Sequence, residues 1–358
     1  MNREPREGRE LPATSFSPLP LAGGAGGGLQ FPIKNTIILA VVSILCIGLP
    51  SLLIFTHVIG DYTARILTMC AVNAVMAISV NMIVGVTGQL SLGQAGFLVV
   101  GAYSCIYFNV NLGLPVPIAV IFAALLTALI GFLIGFPVLK LTGDYLAIVT
   151  LGFGEIIRII IINIKPITNG PNGRSLSTAV AYNNGLSFFV VTGALVLIVA
   201  LLQNFIRSTY GRAILACRED EIAANSSGIN IFRYKMIGFV IASFIAGLGG
   251  CFFVLVIGFV RPADGAFMQS INYLIYVVLG GMGSMTGSIL AAYILTYLQE
   301  ALRFLQDYRM VIYPALLIIV MIFRPQGLLG TRELSFVGLW NRLTRRRGGA
   351  GNDLGGAL

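Results

Sequence analysis

Long stretches of this chain contain no charged residue. Asp, Glu, Lys and Arg are absent from residues 36–60, 66–139, 175–206, 236–260 and 265–299. A helix needs about 20 apolar residues to cross the hydrocarbon core of a bilayer, so the run 66–139 has room for about three crossings. Backbone groups in lipid must be bonded within their own segment, and the alternating pattern of a transmembrane barrel is absent. The pattern predicts an all-α, polytopic transmembrane helical bundle.

The apolar runs divide into about ten predicted spans. They are expected at 36–58, 66–86, 93–111, 115–139, 143–164, 186–206, 236–260, 269–284, 287–303 and 309–323, each boundary to within several residues. The last span is the weakest, because it lies between Arg309 and Arg324 and both arginines would have to snorkel. Eight spans with an interfacial helix are the alternative.

Two glycine-rich segments interrupt the apolar runs, one in each half of the chain. We call residues 85–97, GVTGQLSLGQAGF, the first break and residues 280–287, GGMGSMTG, the second break. Paired interruptions of this kind indicate a substrate pathway in transporters, whereas the alternative is that the glycines allow close helix packing. The candidate pathway residues are Ser91, Gly93, Gln94, Ser284 and Thr286.

One segment in the middle of the chain is densely charged. Residues 207–235, which we call the charged loop, contain Arg207, Arg212, Arg218, Glu219, Asp220, Glu221, Arg233 and Lys235. Its composition favours helix over 210–227, Gly228 provides a helix stop, and Asn230 can cap the next helix. The acidic run 219–221 disfavours binding to anionic headgroups. The pattern therefore predicts one or two short helices that dock on a partner protein, in preference to a solvated loop.

The distribution of basic residues orients the chain. They concentrate in the charged loop and in the Gly-rich C-terminal tail 331–358, and the positive-inside bias places both in the cytoplasm with the N-terminus. Residues 1–34 mix Arg and Glu and then run through Pro and Gly, which predicts a disordered tail before a membrane domain over 35–330. The net charge of +9 follows from this bias and needs no nucleic-acid partner.

The residues of common catalytic and cofactor sites are missing. The chain has one histidine, and its five cysteines have neither CxxC nor metal-ligand spacing, so no metal or cofactor is expected. The sequences GxxxxGK[ST], GxSxG and HExxH do not occur. We therefore expect a transport protein energised by a partner or an ion gradient, with a membrane enzyme as the weakest alternative.

Two charges lie inside the predicted span 143–164. Glu155 and Arg158 are three residues apart, which puts them on the same helix face and lets them pair. Ionisable groups in a membrane are costly, so the pair needs an explanation. It is either a neutralised pair that packs against neighbouring helices, which we favour, or part of a proton relay or gate.

Several segments resemble the permeases of ATP-binding-cassette (ABC) importers for branched-chain amino acids. The similar segments are GQLSLGQAGFLVVGAY (88–103), GDYLAIVTLGFGEIIR (143–158), GRAILACREDEIAANSSGI (211–229), VVLGGMGSMTGSILAAY (277–293) and FRPQGLLG (323–330). The second of these is the most specific, and it points to the LivM-type subunit as opposed to its LivH-type partner.

The resemblance implies a division of labour between subunits. Members of this family form one of two permease subunits in the bacterial inner membrane, with two cytoplasmic ATPases and a periplasmic substrate-binding protein. The charged loop then corresponds to the loop on which an ATPase docks, and the expected contact residues are Gly211, Arg212, Arg218, Glu219, Asp220, Glu221, Ala223, Ala224 and Gly228. The family pattern has Glu-Ala-Ala contiguous, whereas Glu221 lies one residue further upstream.

The sequence leaves two rival functions open. Permeases for urea or short amides look similar to those for branched-chain amino acids, which makes them the rival substrate class. A self-sufficient secondary transporter or channel is the rival from a different class. It would transport without a partner, whereas an ABC permease would transport only with its ATPases and partner permease.

Overall fold

The computed structural model describes residues 60–141, 143–176 and 184–308 continuously, and scattered positions between 312 and 327. Helix dominates these residues, which confirms the predicted all-α class. The predicted spans 36–58 and 309–323 and the tails 1–34 and 331–358 lie outside the continuously described residues.

The described residues form eleven α-helices and one two-stranded ribbon. The helices are α1 (Asp61–Asn81), α2 (Gln94–Ile106), α3 (Val116–Val138), α4 (Asp144–Asn163), α5 (Lys165–Thr168), α6 (Asn184–Arg207), α7 (Thr209–Glu219), α8 (Glu221–Ser226), α9 (Ile231–Ile257), α10 (Phe267–Gly280) and α11 (Met285–Ala301). Met82–Val86 and Tyr107–Asn111 are π-helical turns that extend α1 and α2. Gly170–Asn172, Pro262–Gly265 and Leu302–Tyr308 are 3-10 turns, and the strands are β1 (Arg174–Ser175) and β2 (Phe259–Val260).

Five helical segments of the described residues are long and apolar enough to cross a bilayer. They are Asp61–Val86, Val116–Val138, Asp144–Asn163, Gly185–Arg207 and Ile231–Ile257. The other predicted spans in this part correspond to α2, α10 and α11, which have 13, 14 and 17 residues. At about 1.5 Å per residue these helices are shorter than the roughly 30 Å hydrocarbon core, because each begins or ends at a break. The total number of crossings stays a prediction.

Strand pairing and chain order define two ends of the bundle. β1 pairs antiparallel with β2, with Arg174 opposite Val260 and Ser175 opposite Phe259. This pairing brings the segment after α4 next to the segment after α9, at what we call the ribbon end. The charged loop joins the end of α6 to the start of α9 and forms the opposite end, which we call the loop end.

Helices α1 and α9 occupy the centre of the bundle. In their most apolar windows 89% and 67% of the residues are buried, against 39%, 33% and 39% for α3, α4 and α6. The outer helices expose large apolar side chains, among them Phe122, Leu133, Ile148, Phe189 and Leu201. Such surfaces suit lipid rather than water, so the exposed faces of α3, α4 and α6 are where we expect acyl chains.

Small residues let the central helices approach closely. A Cβ atom on Gly101 of α2 would lie 2.7 Å from Cα of Gly247 on α9, and one on Gly247 would lie 2.7 Å from Cβ of Thr127 on α3. Close backbone approach through glycine is a common way to pack helices in membranes. The packing explanation of glycine-rich sequence therefore holds for α2 and α9, outside the two breaks.

Candidate coupling loop and substrate pathway

The first part of the charged loop forms helix α7. The hydroxyl of Ser208 caps this helix by accepting a hydrogen bond from the Gly211 amide at 3.3 Å. Gly211, Ile214 and Cys217 recur every third residue and are buried, which holds one face of α7 against the bundle. Burial raises the pKa of the Cys217 thiol, and the nearby Lys235 acts in the opposite direction. Cys217 is therefore a neutral packing residue at neutral pH.

Two acidic residues of the charged loop form hydrogen bonds or ion pairs with other residues of this chain. Asp220 has an extended backbone that ends α7, and its Oδ1 accepts from the amides of Ile222 at 2.8 Å and Ala223 at 3.0 Å. It is thus the N-cap of α8. Glu221 forms an ion pair with Lys235, whose Nζ lies 2.6 Å from Oε1 and whose side chain is only 11% exposed. The carboxylate of Glu221 therefore ties α8 to the start of α9.

A tight turn at Gly228 separates α8 from α9. Gly228 has φ +80°, and a Cβ atom there would meet nothing within 4 Å, so backbone conformation alone requires glycine. Asn230 then caps α9 by accepting from the Arg233 amide at 3.1 Å. The predicted helix stop and the predicted cap are both confirmed.

The outer surface of the charged loop combines charge with an apolar side chain. Ile222 is 81% exposed, and Arg212, Glu219 and Ala223 of the same loop are exposed too, whereas Ala224 is buried. An exposed aliphatic residue among charges of both signs suits contact with a protein. The expected contact residues therefore divide into those on this outer surface and those that build the loop.

Arg218 extends from α7 to the first break. Its guanidinium donates from Nη1 to the carbonyl oxygen of Gly85, 133 residues earlier in the chain. The side chain is 31% exposed, and its ion pair with Glu219 is long at 4.0 Å to a carboxylate that is 77% exposed. Such an exposed ion pair contributes little to stability, so the hydrogen bond to Gly85 is the stronger restraint on the position of the Arg218 side chain.

The first break leaves helical structure at Thr87 and regains it at Gln94. Residues 87–93, after the π-helical turn, are not helical. The Leu92 amide donates to Oγ1 of Thr150 on α4 at 3.0 Å, and a Cβ atom on Gly93 would lie 2.6 Å from the Thr150 carbonyl oxygen. The break is thus held against α4 by a hydrogen bond and by a contact that only glycine allows.

Polar side chains of the first break are buried with unused hydrogen-bonding capacity. Both amide atoms of Gln89, the hydroxyl of Ser91 and Nε2 of Gln94 have no partner among the described residues. Gln94 uses its other amide atom, since Oε1 accepts from the Ser79 hydroxyl at 3.3 Å. Buried polar groups without partners are costly, and each one calls for an explanation such as a bound ligand or water.

The second break is a compact turn, as its glycines predict. Gly283 has φ +89°, and the hydroxyl of Ser284 caps α11 by accepting from the Gly287 amide at 3.1 Å. Oγ1 of Thr286 lies 3.4 Å from that hydroxyl. A Cβ atom on Gly280 would lie 2.5 Å from the Gly287 carbonyl carbon, so α10 and α11 touch at the turn. Ser284 and Thr286 therefore help to build the turn.

The end of α1 lies between the two breaks. Ser79 bonds Gln94 of the first break, and two residues later Oδ1 of Asn81 accepts from the amide of Gly283 at 2.9 Å. Nδ2 of Asn81 is another buried atom without a partner among the described residues. A Cβ atom on Gly85 would lie 2.5 Å from the Gly283 nitrogen. The first and second breaks thus meet at α1, on the side of the loop end.

Asn81, Gln89 and Thr150 were not among the residues that the sequence pattern singled out. Asn81 and Gln89 are polar residues in the charge-free run 66–139, as are the pathway candidates Ser91 and Gln94, so polarity within this run was a usable signal for both. Thr150 gave no signal, because a threonine in an apolar helix commonly bonds its own backbone. It does so here too, to the Ala147 carbonyl at 2.9 Å.

Glu155 and Arg158 pair on α4. Nε of Arg158 lies 2.6 Å from Oε2 of Glu155, and the side chains are 31% and 27% exposed. The other carboxylate oxygen of Glu155 accepts from the amide of Phe267, the first residue of α10, at 3.1 Å. Glu155 thus satisfies a donor that the helix itself leaves free, at the positive end of the helix dipole.

The described residues contain no cluster of His, Cys, Asp or Glu arranged to hold a metal ion. In this part of the chain Cys70, Cys105, Cys217 and Cys251 are free and buried.

The family described as "Branched-chain amino acid transport system / permease component" matches residues 62–321. This chain belongs to that family. The match includes both breaks, the charged loop and the Glu155–Arg158 pair, and it confirms the resemblance seen in the sequence.

Curated relatives distinguish between the two permease types. LivM, the high-affinity branched-chain amino acid transport system permease protein of Escherichia coli K12, is 37% identical over 326 residues, which cover 83% of this chain and 75% of LivM. LivH of the same strain is 37% identical over 140 residues, covering 38% of this chain and 45% of LivH. The ribose import permease RbsC of Haemophilus influenzae is 24% identical, covering 76% of this chain and 87% of RbsC. At equal identity, the match to LivM thus covers most of this chain, whereas the match to LivH covers less than half of it.

Proposed function

We propose that this chain is the LivM-type permease subunit of an ABC importer that moves branched-chain amino acids across the bacterial inner membrane. The similarity to LivM over 83% of the chain carries this proposal. The chain pairs with a LivH-type permease, two cytoplasmic ATPases energise the pair, and a periplasmic binding protein delivers the substrate. The chain serves as the permease, and ATP is hydrolysed by the separate ATPase subunits, since its own sequence has no P-loop.

The proposed orientation puts the loop end in the cytoplasm and the ribbon end in the periplasm. The density of Arg and Lys in the charged loop supports this orientation through the positive-inside bias. The N- and C-termini are then cytoplasmic as well. An ATPase docks on the outer surface of α7 and α8, and the binding protein docks at the ribbon end.

Transport follows an alternating-access cycle in this proposal. Closure of the ATPases around ATP displaces the charged loop, and the displaced loop changes the packing of the helices that meet at the breaks. The short helices α2 and α10 begin or end at these breaks, so a small rotation there opens one end of the pathway and closes the other.

The first break, together with Asn81 at the end of α1, supplies the proposed substrate contacts. The unpartnered amide nitrogens of Asn81, Gln89 and Gln94 are donors for the carboxylate of an amino acid. The hydroxyl of Ser91 and Oε1 of Gln89 are acceptors for its ammonium group. Neutral partners hold a zwitterion without leaving a charge buried when the substrate departs. Gly93 keeps this segment close to α4, and Ser284 and Thr286 shape the opposite wall.

Reconstitution of the whole importer tests the function. The chain is co-purified with the LivH-type subunit, the ATPases and the binding protein, and ATP hydrolysis in proteoliposomes is compared for leucine and urea. Leucine is expected to stimulate hydrolysis and uptake, and urea is not. Stimulation by urea alone would assign the amide class. Uptake by the purified single chain without ATP would instead show a self-sufficient transporter.

A substitution on the outer surface of the loop tests the docking assignment. Ile222→Asp puts a charge in place of an exposed aliphatic side chain and is expected to reduce co-purification of the ATPases at least about tenfold, as a central interface residue would. Asn225→Asp, on the same helix and also exposed, is the matched control for added charge. Equal co-purification of the two variants would contradict docking at α8.

A further inference from the structure

We propose that Arg218 is the positioning residue that transmits movement of the charged loop to the first and second breaks. This inference rests on the proposed function, because it concerns how ATPase docking reaches the substrate pathway. It assigns one side chain of α7 a role inside the membrane domain, separate from the docking surface.

Arg218 bonds a carbonyl group at the end of the helical segment Asp61–Val86. The helical segment Asp61–Val86 has no basic residue in its own last turn. Carbonyl groups at a helix end lack partners within the helix, and the end carries a partial negative charge. The guanidinium of Arg218 donates to one of these carbonyls, that of Gly85. A residue of α7 thereby supplies the cation that α1 lacks.

Arg218 also lies between the two breaks. A Cβ atom on Gly88 would lie 2.9 Å from Cγ of Arg218, and one on Gly283 would lie 3.3 Å from Nη1. Gly88 belongs to the first break and Gly283 to the second, and both have positive φ. Glycine at these two positions leaves the space that the arginine fills. The side chain thus bonds the first break and lies beside the second.

Both sides of this contact are held in place by further packing and hydrogen bonding. On the loop side, Ile214 and Cys217 are buried. On the membrane side, Asn81 accepts from the amide of Gly283 at 2.9 Å, so the second break is fastened to the end of α1, the helix that leads into the first break. A displacement of α7 therefore moves Arg218, and Arg218 moves the joined breaks rather than one of them.

Leucine transported per ATP hydrolysed, measured in the reconstituted importer, tests the proposal. Arg218→Met fills similar space without a charge or donor, and it is expected to lower this ratio about tenfold. Arg218→Lys keeps the charge and a donor, and it should recover at least about half of the ratio. Arg233→Ala removes an exposed arginine of the charged loop and is the matched control, with an unchanged ratio.

The outcomes separate this inference from the proposed function. If the unmodified importer does not transport leucine, the proposed function fails. If it does, and Arg218→Met has the same ratio, the inference is wrong while the function stands. Loss of ATPase co-purification in Arg218→Met would also overturn the inference, because Arg218 would then be a docking residue.

A labelling experiment keeps the proposal testable when transport is weak. Met282 in the second break is 50% exposed, so Met282→Cys provides a thiol for labelling. Its labelling rate by a maleimide is expected to differ between the nucleotide-free and vanadate-trapped importer. Adding Arg218→Met should remove that difference. A difference that survives in the double variant would overturn the proposal.

Discussion

The two glycine-rich breaks look alike in sequence and differ in structure. The second is a short turn in which Ser284 caps α11, Gly283 reverses the chain, and Gly280 packs on Gly287. The first is a non-helical segment whose Gln89 and Ser91 are buried without partners among the described residues. The second break therefore resembles a structural hinge, whereas the first has binding capacity to offer.

This difference shows that glycine content alone does not identify a binding segment. Glycine permits a turn, a close contact or an approach to a ligand, and these roles are distinguished by what the neighbouring polar groups do. Where those groups satisfy each other, the segment is complete without a ligand. Where they do not, the buried polar groups carry a desolvation free energy that hydrogen bonds to a substrate can offset.

The largest expected effect comes from a substitution at the contact between the breaks. Gly85→Val places methyl groups against Asn81 and against the Gly283 nitrogen, 2.5 Å from the added Cβ atom. Overpacking of this kind costs about 3 kcal/mol, so the midpoint of thermal unfolding in detergent should fall markedly. Gly152→Ala is the control, because a Cβ atom there meets nothing within 4 Å. Equal midpoints for the two variants would mean that the breaks do not touch.

The next effect is specific to the first break. Gln89→Leu removes a buried amide that has no partner among the described residues, and it keeps the volume nearly unchanged. Uptake at leucine concentrations well below saturation is expected to fall at least about tenfold, since a hydrogen bond to a charged group is worth about 1.5–3 kcal/mol. The midpoint of thermal unfolding should not fall. Normal uptake by this variant would remove Gln89 from the pathway.

The reverse result is expected at the second break. Ser284→Ala deletes the cap of α11 and should lower the free energy of unfolding by about 1 kcal/mol. Uptake per folded importer should stay within about twofold, because the cap acts on stability. Ser288→Ala is the control, since its hydroxyl bonds the Ser284 carbonyl at the start of its own helix. A large loss of uptake in Ser284→Ala would make the two breaks functionally alike.

The smallest effect is expected at the other end of α10. Glu155→Gln keeps an acceptor for the Phe267 amide and loses the charge that faces Arg158, a cost below about 1 kcal/mol for a partly exposed pair. The dependence of uptake on pH should match that of the unmodified importer. A changed pH profile would favour the proton relay over the structural pair.

Local chemistry explains what could be predicted from the sequence. The helix of the charged loop, its stop at Gly228 and the cap at Asn230 depend on residues within a few positions of each other. The contact between Glu155 and Arg158 follows from helix geometry in the same way. Such features need no knowledge of the tertiary structure.

Contacts between distant segments explain what could not be predicted. Glu221 is paired with Lys235, 14 residues away across a turn. Its position one residue upstream of the family's Glu-Ala-Ala pattern did not indicate that pairing. The bond from Arg218 to Gly85 and the bond from Gly283 to Asn81 span 133 and 202 residues. Nothing local to either break distinguishes a turn from a binding segment, because the difference lies in these partners.

The π-helical turn Met82–Val86 has a consequence for insertions and deletions. A π turn accommodates one residue more than an α turn, so it acts as a store of spare chain length within a continuous helix. Removing one residue from 82–86 would convert the turn to α geometry and leave the backbone bonds of Asp61–Asn81 in register. The same deletion earlier in α1 would rotate every following side chain by about 100°. Length variation in this helix is therefore expected to collect at its last turn.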